Sequence, residues 1–195
     1  MNVDAWCGLA ADPRVQAKIS SDPALRSYRL LIEHFAARNP LSWDDAVIGL
    51  QIVYGSMRSS LDLSLPADLN STGRSRVVRL LNDARLRSLT ICELKDLKDR
   101  FCNHSMVGVS KLLHFINPSC CPSWGTEVAH AWYAPLPASF QKYEDPEEYR
   151  SYANQIVVWS ISPITAGSRS TVRGVTPDLA AVSDLRLIEL VLFHS

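Results

Sequence analysis

The sequence predicts a mainly α-helical fold, an irregular compact bundle of about seven or eight helices, and three observations carry that prediction. Apolar residues recur every three to four positions through most of the chain. Residues that cap helices stand just before those runs, and Asn-Pro steps and turn-forming clusters stand after them. The apolar alternation within Leu61 to Gly73, as a half-buried strand would show, is short and finds no partner strand.

The elements follow in order. Asp22-Pro23 reads as an N-cap with proline at the first helical position, after which Leu25, Tyr28, Ile32 and Phe35 share one face until Asn39-Pro40 stops the helix. Ser42 and Asp45 approximate a capping box, and Val47, Leu50, Val53, Tyr54 and Met57 continue an apolar stripe that Gly49 and Gly55 weaken. Leu61 to Gly73 reads as a loop, since Pro66, Asn70, Ser71 and Gly73 are turn formers. From Arg74 to Arg87, Val77, Leu80, Leu81 and Ala84 form one face and the arginines lie mostly off it. Thr90 and Glu93 form a capping box that opens a helix with Leu94, Leu97 and Phe101 inward. Ser105 caps a helix that runs to Ile116 and ends at Asn117-Pro118.

Ser119 to Gly125 reads as a compact loop. Thr126, Val128 and Trp132 then mark a short helix ending at a Pro135/Pro137 turn. Asp145-Pro146-Glu147-Glu148 is a further helix start, its acids matched to the positive end of the helix dipole. Tyr149, Tyr152, Ile156 and Trp159 recur at helical spacing, but Ile156 to Ile161 is rich in β-formers, so the helix ends early or gives way to a strand there. Ser160 to Pro177 reads as the least ordered part. The last helix, Ser183 to about Phe193, is apolar on most sides and is expected to dock centrally.

At 47% hydrophobic and 21% charged residues the composition is that of an ordinary globular chain, and nothing splits residues 1–195 into two domains. Twenty basic residues balance twenty acidic ones, so the whole-chain charge neither attracts nor repels a polyanion. No apolar run approaches a membrane span, and the first residues lack the basic-then-apolar pattern of a secretory signal. The expected location is the cytosol, with five cysteines kept as thiols. No Walker glycine loop, dinucleotide fingerprint, nucleophile elbow or zincin helix occurs, which argues against the nucleotide-hydrolysing and common hydrolase classes. No cofactor is implied.

The window from Val107 to Trp132, V-G-V-S-K-L-L-H-F-I-N-P-S-C-C-P-S-W-G-T-E-V-A-H-A-W, joins a helix, a proline-bracketed loop and a second helix. It resembles small uncharacterised bacterial helical proteins with a K-L-L-H-F-x-x-P-x-x-x-P-x-W-D pattern. It also resembles the helix-hairpin-helix DNA glycosylases, whose hairpin ends G-x-G-x-K and whose catalytic aspartate follows in a P-V-D-T-H-V-like turn. The resemblance implies that Lys111 is the hairpin lysine, that Pro122 and Trp124 form the turn, that Thr126 follows the aspartate position, and that Val128 is an apolar anchor. The aspartate position is Gly125, which has no side chain to activate a nucleophile. Lys111 also lies closer to it than the hairpin spacing requires, and Glu127 is the nearest carboxylate in sequence.

Lys111, His114, Glu127 and His130 are therefore the candidate catalytic residues of a divergent glycosylase-like cleft. His114 either lines that cleft or bonds a backbone carbonyl. Cys102, His104, His114, Cys120, Cys121 and His130 are metal-ligand types in the same region, yet their spacing fits no structural zinc site, and adjacent Cys120-Cys121 does not readily aim both sulfurs at one ion. No metal is expected. A Cys-His nucleophilic pair of Cys120 or Cys121 with His104 or His130 has no fixed geometry in the sequence.

Eight basic residues against four acids lie between Arg74 and Arg100, the one local positive excess. Arg74, Arg76, Arg79, Arg85 and Arg87, with Lys111, form a candidate phosphate-binding set for nucleic acid. Alternatively they are a solvated face paired with Asp83, Glu93, Asp96 and Asp99 or with Glu144 to Glu148. Trp124, Trp132 and Tyr133 either stack on a base or fill the core. The functional expectation is a non-catalytic binding or accessory protein with nucleic acid as ligand; the alternatives are the divergent enzyme or an interaction subunit that self-associates through its C-terminal helix.

Overall fold

A computed structural model describes residues 1–55, 69–134 and 140–195. Among them it shows eleven helices of eight residues or more, a single-turn α9 (Phe140–Tyr143) and one 3-10 turn (Pro177–Leu179), with no strand. The mainly α prediction stands, and the count of seven or eight is too low. The N-terminal residues supply two helices beyond those the sequence pattern predicts, α1 (Val3–Ala11) and α2 (Pro13–Ser20). The Asp12 side chain caps α2 with Pro13 at its first position, the same device that opens α3 (Ala24–Ala36) after Asp22 and Pro23.

The middle of the chain follows its caps. Ser42 and Asp45 bond reciprocally at the start of α4 (Trp43–Gly55), and Asn70 opens α5 (Ser71–Ala84), so residues 71–73 are helical rather than loop. Met57 and the rest of the expected loop, residues 61–68, lie outside the described residues, as does the Pro135/Pro137 turn. The Thr90–Glu93 capping box opens α6 (Ile91–Arg100), and Ser105 caps α7 (Met106–Ile116). The short helix is α8 (Thr126–Tyr133).

Two expectations fail in the last third. No strand forms at 156–161: α10 (Pro146–Ile161) runs unbroken, because Ile156 and Trp159 are buried and packing outweighs the modest helical cost of β-branched residues. The stretch 160–177 is not irregular either. Ser162 caps α11 (Pro163–Arg173), again with proline at the first position, and the buried Arg169 and Thr165 donate to the Trp159 carbonyl and hold α11 on the end of α10.

Two helices organise the molecule. α7 is surrounded by α3, α4, α5, α6 and α10, and α12 (Asp184–His194) by α1, α2, α8, α10 and α11. Both are buried along most of their length, and the two groups share one continuous apolar core. Each carries a polar residue into that core, His114 from α7 and Glu189 from α12. The apolar sides of α12 that suggested self-association are consumed inside the fold, leaving Phe193 as its exposed apolar residue.

Gly49 marks where α4 meets α3 and α7. A Cβ there would lie 2.6 Å from the Phe35 ring and 3.1 Å from Leu112, whereas Gly8, on the exposed side of α1, has open space around it. We expect Gly49→Ala to lower the urea midpoint, at a cost of about 1–3 kcal/mol for overpacking. Gly8→Ala should raise the midpoint, by roughly 0.5–1 kcal/mol from helix propensity. A Gly49→Ala variant as stable as the parent would show that this contact is not tight.

Candidate ligand-binding cleft

Among the described residues a cleft of about 510 Å³ opens where α3, α7 and α12 converge with the 123–125 loop and the start of α8. That volume is within the range of small-molecule sites. α7 supplies Lys111, His114 and Phe115; α12 supplies Arg186, Phe193 and His194; α3 supplies Tyr28 and Leu31. Lys18 and Asp22 enter from the α2 end, and Glu127 from α8.

A buried polar chain forms its wall. The Tyr28 hydroxyl and His114 Nε2 are 2.9 Å apart, and His114 Nδ1 is 2.9 Å from the Cys121 carbonyl oxygen. A carbonyl only accepts, so the proton sits on Nδ1, and Nε2 accepts from Tyr28. Burial, helped by the Arg186 charge, pushes the imidazole down to about 3, which keeps His114 neutral across the physiological range. Burial also raises the Tyr28 phenol well above its usual range, so it remains a donor.

Glu189 sits behind His114, its Oε1 3.6 Å from Nδ1. It is fully buried and accepts the Ser123 backbone N–H and, at 3.2 Å, an Arg186 guanidinium N–H. Burial lifts its carboxyl to about 7 against the pull of Arg186 and Ser123. Arg186 in turn lies over the Tyr28 ring, 5.1 Å from its centroid, and its Nε is buried without a hydrogen-bond partner among the described residues. Glu189 thus ties α12, the 121–124 loop and α7 together and sets the position of the Arg186 cation.

The open part of the cleft is chemically simpler. Lys111 is half-buried, its amine is lowered by desolvation against the attraction of Glu127, and Nζ donates no hydrogen bond within the described residues. Lys18 Nζ is occupied by the His194 carbonyl, and His194 Nε2 is 3.0 Å from Asp22. Gly125 is the N-cap of α8 and offers no side chain to its first amides, so that positive helix end is uncapped beside Lys111.

Of the residues singled out from sequence, Lys111, His114 and Glu127 line this cleft; His130 does not, lying farther along α8 with its ring 6.3 Å from that of Tyr143. His114 bonds a carbonyl, the plainer of its two readings, and it is locked at both nitrogens. Gly108 and Lys111 both lie inside α7, so no hairpin turn separates them. Trp124 is core: its indole donates to the Tyr143 carbonyl and its ring lies 4.6 Å from that of Tyr152.

The arginine set separates into individuals. Arg85 donates to the Phe35 and Arg38 carbonyls at the end of α3, a structural tie. Arg76 pairs with Asp96, and Arg87 with Asp83 and Glu93. Arg74 lies over the Trp43 ring and bonds the Leu69 carbonyl. Arg79 is exposed with no ion pair among the described residues. None of the five lines the cleft.

The cysteines and histidines do not converge: among the described residues no group of three or more His, Cys, Asp or Glu is arranged to hold a metal. His104 sits in the turn after α6 beside Asp99, and Cys102 is buried under α7. Cys120 and Cys121 face one another, Sγ to Sγ 3.8 Å, without a third ligand type arranged beside them among the described residues.

Tyr28, Asp22, Arg186 and Glu189 are site residues that sequence reasoning missed. Only Glu189 left a signal, as a lone acid within an otherwise apolar turn of the last helix.

Fold and site together define a mainly helical protein with a cationic, aromatic-walled cleft between its two central helices. Comparison with known protein families, with curated proteins and with solved structures finds no match for the chain. Among the described residues no helix is long and apolar enough to cross a membrane.

Proposed function

We propose that the chain is a binding protein that takes a small planar molecule with an acidic group, of nucleotide size, into the α3–α7–α12 cleft. The observation that carries this reading is the half-buried Lys111 ammonium, without a hydrogen-bond partner among the described residues, facing the same cavity as the Arg186–Tyr28 pair. A desolvated cation supplies the anion contact, and Tyr28 and Phe115 supply flat apolar surface for a ring. His114 acts as a fixed hydrogen-bonded strut, since neither nitrogen is open to a ligand.

The test is calorimetric titration with nucleoside monophosphates and with short single-stranded DNA and RNA at two salt concentrations. We expect salt-sensitive binding that Lys111→Ala weakens roughly tenfold or more, the worth of a hydrogen bond to a charged group. Arg79→Ala should leave mononucleotide binding unchanged. Oligonucleotide binding that depends on Arg79 and Arg87 but not on Lys111 would move the function to the α5–α6 surface. Absence of any anion binding would remove both readings.

One arrangement favours the enzyme alternative: Lys111 and Gly125, the two positions that the glycosylase resemblance relates, line one cleft, with Glu127 and Asp22 as its carboxylates. That reading requires release of free base from a damaged duplex, lost in Glu127→Gln or in Asp22→Asn.

A further inference from the structure

The turn that ends α7 does something unusual with its two cysteines. Asn117 accepts the backbone N–H groups of both Cys120 and Cys121 on its carbonyl, and its side chain donates to the Ala84 and Arg85 carbonyls. The chain is thereby curled tightly enough to place the two sulfurs 3.8 Å apart on one side, where an extended chain would point them to opposite sides. They line a small cavity of about 10 Å³, with Ser88, Tyr149 and Arg150 around it, room for one water-sized molecule. The two are not equivalent: Cys121 is buried, while Cys120 is partly exposed.

We propose that Cys120 and Cys121 form a peroxide-responsive dithiol, with Cys120 as the attacking and Cys121 as the resolving sulfur, that closes to a vicinal disulfide. The Cys120 thiolate attacks one oxygen of hydrogen peroxide; the S–O bond forms as the O–O bond breaks, and the leaving hydroxide departs as water with the thiol proton. Cys121 then attacks the sulfenic sulfur; the S–S bond forms as the S–O bond breaks, and the oxygen leaves as a second water. Two thiols are oxidised by two electrons and one peroxide is reduced to two waters.

The surroundings fit these roles. The Cys121 thiol and the Ser88 hydroxyl donate toward the Cys120 sulfur, the Arg150 cation lies near it, and together they bring the Cys120 thiol down to about 7, whereas the contact with Cys120 and burial raise Cys121. Cys102 offers no competition, since full burial suppresses its thiolate. The site does not depend on the proposed cleft ligand. It does neighbour the cleft, since the Cys121 carbonyl holds His114 and the Ser123 N–H two residues on is held by Glu189.

The test is peroxide titration of the full chain, followed by alkylation and mass mapping. Cys120 and Cys121 are the two cysteines of the tryptic peptide running from residue 112 to residue 142, so a disulfide appears as an unalkylated peptide lighter by two hydrogens. We expect that species to form first, about tenfold faster than loss of the exposed Cys92 thiol, and to revert with dithiothreitol. Cys121→Ser should leave a dimedone-trappable sulfenic acid on Cys120, and Arg150→Gln should slow the reaction several-fold. Oxidation of Cys92 while the pair stays reduced would overturn the proposal. So would a sulfenic acid that forms on Cys121 in Cys120→Ser as fast as the pair closes in the parent, read beside a native circular-dichroism spectrum.

Discussion

Replacing Glu189 with alanine should cost about 3–5 kcal/mol of folding stability, the largest loss expected of any single polar substitution in this chain. The reason is its partners rather than its volume. Without the carboxylate, the N–H of the half-buried Ser123 loses its acceptor, and Arg186 loses the anion that offsets its desolvation. Arg186 retains 18% of its side-chain exposure, so part of its charge can be rehydrated and the lower end of that range is expected. Glu189→Gln keeps an acceptor for Ser123 and should cost less. Urea unfolding of the three proteins orders them parent, glutamine, alanine; an alanine variant within about 1 kcal/mol of the parent would mean that the α7–α12 junction does not depend on this group.

The same junction predicts an unusual pH profile. His114 falls from an ordinary 6.5 to about 3 on folding, so between those values the unfolded chain binds the proton and the folded chain refuses it. Stability from this group therefore rises with pH across that window. Glu189 moves the other way, from 4.5 to about 7, so the folded chain holds a proton that the unfolded chain releases, and its contribution falls as pH rises through that interval. Below 4.5 the histidine acts unopposed, helped by Glu93, which Arg87 holds down to about 2. Between 4.5 and 6.5 the two junction residues oppose each other.

The expected profile is a steep rise from about pH 3 to 4.5 on the order of a few kcal/mol, then a plateau, then a shallow decline toward 7. His114→Gln should flatten the early rise and expose the Glu189 decline from 4.5 upward, whatever it does to stability overall. Chemical denaturation at stepped pH reads both. A variant whose acid limb matches the parent's would show that His114 is not held neutral by the fold.

These effects arise from long-range pairing, which is where sequence reasoning loses reach. Local devices were legible: Asp22-Pro23, Ser42 with Asp45, Thr90 with Glu93, Ser105 and Asp145-Pro146 all open helices as read, because each is a contact between residues a few positions apart. Asp12-Pro13 and Ser162-Pro163 carry the same device and open α2 and α11, two helices that periodicity alone does not announce. The strand reading of 156–161 fails for a different reason. Composition there favours β-structure, but Ile156 and Trp159 are held in a helix by the helices they pack against, and no local signal reports that neighbour.

The site divides in the same way. Lys111, His114 and Glu127 were visible because they lie close in sequence, on two helices joined by one short loop. Tyr28 and Arg186 come from helices at opposite ends of the chain, and only folding brings them to His114 and to each other. The basic excess of 74–100 was real in count. Its members nevertheless spend most of their charge on Asp83, Glu93 and Asp96 or on the end of α3, pairings that a residue tally cannot anticipate.

The role of Lys111 is read by comparing a nucleoside monophosphate with its parent nucleoside, titrated into the parent protein and into Lys111→Ala. If Lys111 reads an acidic group in the cleft, the monophosphate binds the parent protein roughly tenfold or more tightly than the nucleoside, and that preference disappears in the alanine variant. A preference of equal size in both proteins, or none in either, would contradict the assignment of Lys111 and its cleft as the anion-binding site.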